Sequence, residues 1–570
     1  MKTSTMNKLL DISIIITAVS SFVILLVQWG MMPVIKTLDS TLMNTAFLDI
    51  IDSVVLVIFV IVVLIRFGAN HSKPGYVKEY WIDLIVILPL LHLFQGMHSA
   101  GLAIVLREAI RLIRFCSRSK VSERLISLLG IKPAQLLIVT FLMTILIGTF
   151  LLTLPISTKS GQGLNFVDAL FTATSATCVT GLIVHDTGSF FSIFGQLVIL
   201  LLIQVGALGI MTFSVTLFLA AGKRMSNREA IAMQNVLDQD SIAGIMGLIA
   251  FIAKMTIFVE LLGAAFLFVG FMPYISDPWQ RIYVSIFHSI SAFCNAGFSL
   301  FPDSIMQYAN DGVINLTIAF LIILGGLGFI VVKDIWDMYV LGSRPRSLGL
   351  RLHTKLVLSM TVILLFVGTI LIFFAENNAN FTGLMLKDKI LISFFQSASA
   401  RTAGFNSVDI AGMTNASIFS IIILMFIGAS AGSTGGGIKT TTFWVLLRSF
   451  SSNIQNKDDI NAFKRKIPDS IVGKAIAIFI LSLGFVILFM YLLSISESLP
   501  FRDLIFEVVS AFGTVGLSTG ITAQFHNVGK LLITGLMFLG RLGPLTIVLA
   551  FSGYRRKINY TYAQEKIMVG

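Results

Sequence analysis

Along the chain, apolar residues gather into runs of about 20, the length a helix needs to cross a bilayer. Such runs near 11–30, 48–67, 131–155, 193–221, 246–272, 313–341, 355–376, 416–446, 471–495 and 528–552 predict membrane spans, with weaker ones near 80–95 and 100–117. Four shorter, half-polar segments lie between the later runs: 164–183, 281–299, 387–406 and 500–518. Each opens apolar, as in FVDALFTATSA, and closes on a glycine: Gly181, Gly297, Gly404 and Gly516. These glycines recur at intervals of 116, 107 and 112 residues, which marks an internal repeat. A second marker follows each one: GALG from Gly206, GGLG from Gly325, GASAG from Gly428 and GRLG from Gly540. The repeated unit reads long helix, short helix, glycine turn, long helix.

A half-spanning segment that ends in a turn leaves backbone polar groups at membrane depth. That is tolerated only where the backbone is buried in protein or lines a watery path. Four such segments dipping in from the outer face would meet around a common axis. Glycine accepts φ > 0, so the turn carbonyls can point at that axis. A ring of carbonyls can replace the hydration shell of a cation, and the partly negative C-terminal ends of the short helices favour the same charge. The turns carry no ring of carboxylates, which points to a monovalent alkali ion and away from Ca²⁺. The plainer alternative makes the glycines small residues at helix crossings. Their regular spacing and the second glycine marker speak against it.

Composition agrees. Of 570 residues, 56% are hydrophobic and 12% charged, and the mean hydropathy is +0.91, which describes a polytopic membrane protein. The net charge of +12 sits in GKRMSNRE (222–229), in 333–355, in 447–466 and in GYRRK (553–557). Segments on the other side carry Asp168, Asp186, Asp277, Asp303, Asp311, Glu376, Asp409 and Glu497. This positive-inside bias puts both termini in the cytoplasm and argues against nucleic acid as the partner. The first run, after MKTSTMNKLLD, lacks a small-residue cleavage site and is expected to stay as a span. Cys116, Cys178 and Cys294 form neither a disulfide framework nor a zinc spacing. No HExxH occurs, and GSTGGGIKTTT lacks the GxxxxGK[ST] spacing of a phosphate loop, so no enzyme is expected.

GASAGSTGGGIKTTT (428–442) places Gly428, Gly432, Gly435, Gly436 and Gly437 within ten positions. Each glycine costs a helix interior up to about 1 kcal/mol relative to alanine, so this span should break in mid-membrane. The break can serve as a mobile gate or as a tight interhelical contact. Lys439 can face the pore or snorkel to the cytoplasm. Arg541, inside LMFLGRLGPLT, can act as a cationic barrier to ions or pair with a carboxylate such as Glu260.

The four loop–glycine units, GASAGSTGGGIKTTT, GRLGPLT (540–546) and the ending YAQEKIMVG together resemble the Ktr/Trk/HKT superfamily of potassium transporters, most closely its Ktr-type ion-translocating subunit; the resemblance covers 131–570. It implies an all-α polytopic membrane protein with four M1–P–M2 repeats in pseudo-fourfold symmetry around one pore: 131–221, 222–341, 342–450 and 451–570. It implies a K⁺ filter at Thr180, Gly181, Asn295, Ala296, Gly297, Thr402, Ala403, Gly404, Thr514, Val515 and Gly516. Gly432, Gly435, Gly436, Gly437, Lys439 and Arg541 would form the gate. Aligned on Gly404, the third repeat has Ala398 and Ser399 where its siblings have Ser and Ala. Because main chain does the work, little should change. The implied cargo is K⁺, with Na⁺ a candidate activator and no organic cofactor. The implied partners are a second copy of the chain, a cytoplasmic ring of nucleotide-binding regulatory subunits, and the bilayer of the plasma membrane.

Residues 1–125 stand apart as about four extra N-terminal helices. Arg107, Arg111, Arg114 and Arg118, spaced 4, 3, 4, stack along one helical face. The layout resembles a voltage-sensor domain, although Val62 stands where such a domain usually has an acid. A basic helix end resting on headgroups explains the same residues. The sequence thus predicts K⁺ uptake, with a voltage-responsive cation channel and a non-conducting membrane scaffold as the alternatives.

Overall fold

The computed structural model describes residues 133–209, 242–342, 349–456 and 459–551. The chain divides into residues 1–131 and 132–570. The N-terminal extension, with Arg107, Arg111, Arg114 and Arg118, lies outside the described residues, as does the C-terminal YAQEKIMVG.

The protein is mostly helical. Helices α1 (Pro133–Thr153), α2 (Phe166–Thr177) and α3 (Ile193–Leu208) are followed by α4 (Ile242–Gly270), α5 (Pro278–Phe293), α6 (Gly312–Leu327) and α7 (Phe329–Tyr339). Then come α8 (Leu352–Glu376), α9 (Leu386–Ser399), α10 (Asn415–Phe426) and α11 (Thr440–Ile454). A two-stranded hairpin, Asn461–Ala462 with Arg465–Lys466, leads to α12 (Asp469–Ser496), α13 (Phe501–Gly513), α14 (Asn527–Leu542) and α15 (Pro544–Phe551). Among the described residues, Gly247–Gly270, Leu352–Glu376 and Asp469–Ser496 are each long and apolar enough to cross a membrane.

The four half-polar segments form the short helices α2, α5, α9 and α13. Their starts follow local chemistry. Asn165 accepts from the Asp168 backbone N–H at 2.9 Å. Asp277 accepts from Trp279 and Gln280, with Pro278 at the first helical position. The helices after the turns are capped likewise, by Ser192, Asp311 and Thr414.

Packing closes a cycle. Each short helix packs on the long helix before it: α1 on α2, α4 on α5, α8 on α9 and α12 on α13. The helix after each turn packs on the short helix of the next stretch: α3 on α5, α6 on α9, α10 on α13, and α14 back on α2. One hydrophobic core runs through all of them, with Phe171, Phe287, Phe395 and Phe506 wholly buried on the short helices.

Helices in four expected spans end at glycines or at a glycine-rich segment. The 313–341 run bends by 95° between α6 and α7 at Gly328, whose φ of 93° and ψ of 139° suit glycine alone. Gly209 (φ 73°, ψ 135°) ends α3 and Gly543 (φ 84°, ψ 137°) ends α14 in the same conformation. The last glycine of GALG, GGLG and GRLG therefore ends a helix, which uninterrupted hydropathy concealed. The 416–446 run breaks over the glycine-rich segment, as expected.

Candidate functional site

Each short helix ends in a turn of one recurring geometry. Two positions before the turn glycine stand Val179 (φ 57°), Asn295 (φ 61°), Thr402 (φ 70°) and Thr514 (φ 47°), all left-handed. Gly181 (φ 92°), Gly297 (φ 70°), Gly404 (φ 78°) and Gly516 (φ 92°) are left-handed as well. Backbone amides of Thr180, Ala296 and Val515 reach back to the carbonyls of Ser175, Ser291 and Ser510, each at 2.8 Å. This is the six-to-one bond of a Schellman helix end, with a β-branched residue or Asn where glycine is the norm. Such strain costs of order 1–3 kcal/mol and persists where the surroundings over-determine it.

The third turn closes differently. Ala403 N–H bonds to the Ser399 carbonyl at 2.9 Å, one residue tighter than in the other three. The Ser399 hydroxyl donates to the Phe405 carbonyl, as Ser291 donates to Phe298 at 2.8 Å. In the first and fourth turns the serine accepts instead, from Gly181 and Gly516 N–H at 3.1 Å each. The one-residue shift of serine in the third stretch is thus matched by a shortened turn.

The turns meet one another in sequence. A Cβ on Gly297 would stand 2.7 Å from the Ala403 carbonyl oxygen, and one on Gly404 would stand 2.5 Å from that of Val515. A Cβ on Gly516 would stand 2.9 Å from the Gly181 Cα, and one on Gly181 would stand 3.2 Å from the Gly297 Cα. The nearest atoms to the last two are the carbonyl oxygens of Thr180 and Ala296. The four turns therefore close a ring in chain order. Thr180, Ala296, Ala403 and Val515, wholly buried, each set a carbonyl against a neighbouring glycine. Any side chain at those glycines would collide with that carbonyl.

Beneath the ring lies the segment between α10 and α11. A Cβ on Gly435 would stand 3.0 Å from the Thr402 Cβ, and one on Gly436 would stand 2.9 Å from the Thr514 Cγ2. The segment doubles back on itself through a parallel bridge between Ile427 and Ile438. It is tied to the α6–α7 bend: Ser430 N–H donates to Gly326 at 3.1 Å, Thr434 N–H to Gly325 at 3.3 Å, and Phe329 N–H to Gly432 at 2.9 Å. Gly432 is exposed and, at φ 73°, left-handed; Gly437 (φ 67°) lies against Gly428. Lys439 turns back into the loop, its Nζ donating to the Gly435 carbonyl at 2.7 Å. Arg541 donates to the carbonyls of Thr434 and Gly206. Glu260 accepts from Gln204 Nε2 at 3.0 Å with Cys294 Sγ 3.8 Å away. Cys178 and Cys294 are free thiols.

The model of the TrkH family, cation transport protein, matches residues 112–557. The chain belongs to the TrkH family. Over 451 residues it is 42% identical to the Ktr system potassium uptake protein B of Bacillus subtilis, covering 79% of this chain and 99% of that protein. It is 38% identical to the potassium/sodium uptake protein NtpJ of Enterococcus hirae, covering 77% and 98%. The potassium transporter TrkH of Vibrio parahaemolyticus, a crystal structure, superposes with a TM-score of 0.60 at 19% identity over 84% of this chain and 98% of that one, a likeness of fold. With its long apolar helices, this TrkH-family chain is a multi-pass membrane protein.

In this TrkH-family chain all eleven residues singled out at the turns lie in or beside the ring, and Lys439 and Arg541 converge on the loop below it. Sequence reasoning overlooked Val179, the β-branched left-handed residue of the first turn. It also left unexplained the first glycine of each second marker. A methyl on Gly206, Gly325 or Gly540 would meet the carbonyl of Thr177, Phe293 or Phe512, the residue four before the turn glycine. Those glycines let the following helix press onto the end of the short one.

Proposed function

We propose that the chain is the ion-translocating membrane subunit of a K⁺ uptake system. K⁺ passes down its electrochemical gradient through four M1–P–M2 units arranged with pseudo-fourfold symmetry about one pore. Carbonyls from Thr180 and Gly181, Asn295 to Gly297, Thr402 to Gly404 and Thr514 to Gly516 take the place of its water. The observation that carries this reading is the closed cycle of the turns, each glycine against the carbonyl of a neighbouring turn.

The loop holding Gly432, Gly435, Gly436, Gly437 and Lys439 is the gate, with Arg541 adding a positive charge that raises the cost of ion passage below the filter. The chain works as a homodimer in the plasma membrane, both termini cytoplasmic, under a regulatory nucleotide-binding ring supplied in trans. Na⁺ acts as an activator. The names of the B. subtilis and E. hirae relatives, potassium and potassium/sodium uptake proteins, support the choice of ion.

The test is growth of a K⁺-uptake-deficient cell at low external K⁺, with and without Na⁺. The chain restores growth, Na⁺ improves it, and Gly297→Ser, whose side chain meets the Ala403 carbonyl, loses K⁺ preference. Failure of rescue with the chain present in the membrane, or undiminished K⁺ preference in the glycine variant, rejects the reading.

A further inference from the structure

The short helices carry a second register outside the ring. Nine positions before the turn glycines stand Thr172, His288, Phe395 and Glu507; two positions after them stand Ile183, Ser299, Asn406 and Ser518. In the second and fourth stretches these two positions meet. His288 is wholly buried. Its Nδ1 lies 2.8 Å from the Val284 carbonyl, which can only accept, so Nδ1 carries the proton. Nε2 is left to accept, 3.0 Å from the Ser299 hydroxyl and 3.4 Å from Leu300 N–H, and the same hydroxyl lies 3.1 Å from the Ser304 carbonyl, so it ties helix and exit strand from either acceptor. Glu507, also wholly buried, accepts through Oε1 from the Ser518 hydroxyl and from Thr522 Oγ1 at 3.0 Å.

In the first and third stretches no such bond forms. Thr172 Oγ1 has no partner, and the residue facing it in register is Ile183. Phe395 cannot bond, and the Asn406 amide donates instead to Val408 at 3.1 Å. In the order in which the turns meet, the second and fourth stand opposite each other.

We propose that His288 and Glu507 are positioning residues: paired braces that hold the strand leaving the turn on two opposite sides of the ring, and through it the carbonyls of Ala296 and Val515. This rests on the carbonyl-filter reading. A ring of main-chain oxygens distinguishes ions through the number and placement of its ligands, and an unbraced exit strand lets those oxygens follow a smaller ion inward. Unit two is braced by a neutral imidazole and unit four by a carboxyl group, so the two sides differ chemically while serving one purpose.

The experiment uses the full-length chain in a K⁺-uptake-deficient bacterium and measures K⁺ uptake, its competition by Na⁺, and the amount of chain in the membrane. Ser299→Ala and Ser518→Ala each lower the preference for K⁺ over Na⁺ by roughly fivefold, the scale of one hydrogen bond's net worth, with maximal K⁺ uptake and chain amount unchanged. Glu507→Gln, whose amide oxygen still accepts, keeps the preference, and so does the matched control Thr172→Val. Unaltered preference in both serine variants overturns the proposal, as does an equal loss in Thr172→Val. Gly516→Ser is measured alongside. If it loses K⁺ preference while the serine variants keep theirs, the braces are refuted and the filter stands; if it keeps K⁺ preference, the filter reading itself falls.

Discussion

The guanidinium of Arg541 donates to the main-chain carbonyl of Thr434, joining α14 to the glycine-rich loop that interrupts the third stretch. A second donation to Gly206 reaches the end of α3. One side chain therefore ties the end of α3, α14 and the loop together. Replacing it with glutamine weakens the fastening and, on the proposed pore reading, removes a positive charge from the ion's route; both changes favour flux. Arg541→Gln should raise the initial rate of K⁺ uptake by roughly tenfold, the effect of about 1.4 kcal/mol on a barrier. Uptake by K⁺-depleted cells measures it, and an unchanged or slower rate contradicts the assignment.

Gly435 and Gly436 have no room for a methyl group. At Gly435 it would stand 2.7 Å from Ala429 Cβ, and at Gly436 it would press on Thr514. Overpacking of this kind costs typically about 1–3 kcal/mol, here levied on the seated loop. Gly435→Ala and Gly436→Ala should each populate an unseated loop and leak K⁺ when wild-type uptake is shut off. Efflux from K⁺-loaded vesicles reads this directly.

Lys530 on α14 bonds Asp168 on α2 at 2.7 Å, and both side chains are nearly buried. The pair joins the last stretch to the first. Removing one partner of a buried pair leaves an uncompensated charge and costs about 3–5 kcal/mol. Lys530→Met should therefore lower thermal stability in detergent more than the double variant Asp168→Asn with Lys530→Met. Equal losses would mean that the pair contributes nothing as a pair.

Gly206, Gly325 and Gly540 press on carbonyls at the ends of the short helices, whereas Gly484 in α12 has nothing within 4 Å of an added Cβ. Alanine at any of the first three should destabilise by about 1–3 kcal/mol. At Gly484 alanine should be neutral or stabilising, since it is the better helix former. Thermal unfolding of the four variants separates packing glycines from incidental ones.

Much of this was legible in the sequence because it repeats. Four glycines at near-equal spacing located the turns, and five glycines in ten residues located the interrupted helix. What stayed hidden depends on neighbours. Hydropathy averages over a window, so Gly328 vanished inside an apolar run although the chain turns by 95° there. Val179 carries no turn signal at all; its left-handed backbone is imposed by the helix end and the packed ring around it. Arg541 was visible as a misplaced charge, but its acceptors are carbonyls, which no residue code displays. The brace positions were unreadable because two of the four registers carry no bond.

Because the turns belong to one polypeptide, the ring they close has four separately encoded quadrants. An assembly of identical chains multiplies every substitution by four and can only explore symmetric pores. Here Ala296 can change while Thr180, Ala403 and Val515 stay as they are. On the proposed filter reading, ion preference can then be adjusted one quadrant at a time.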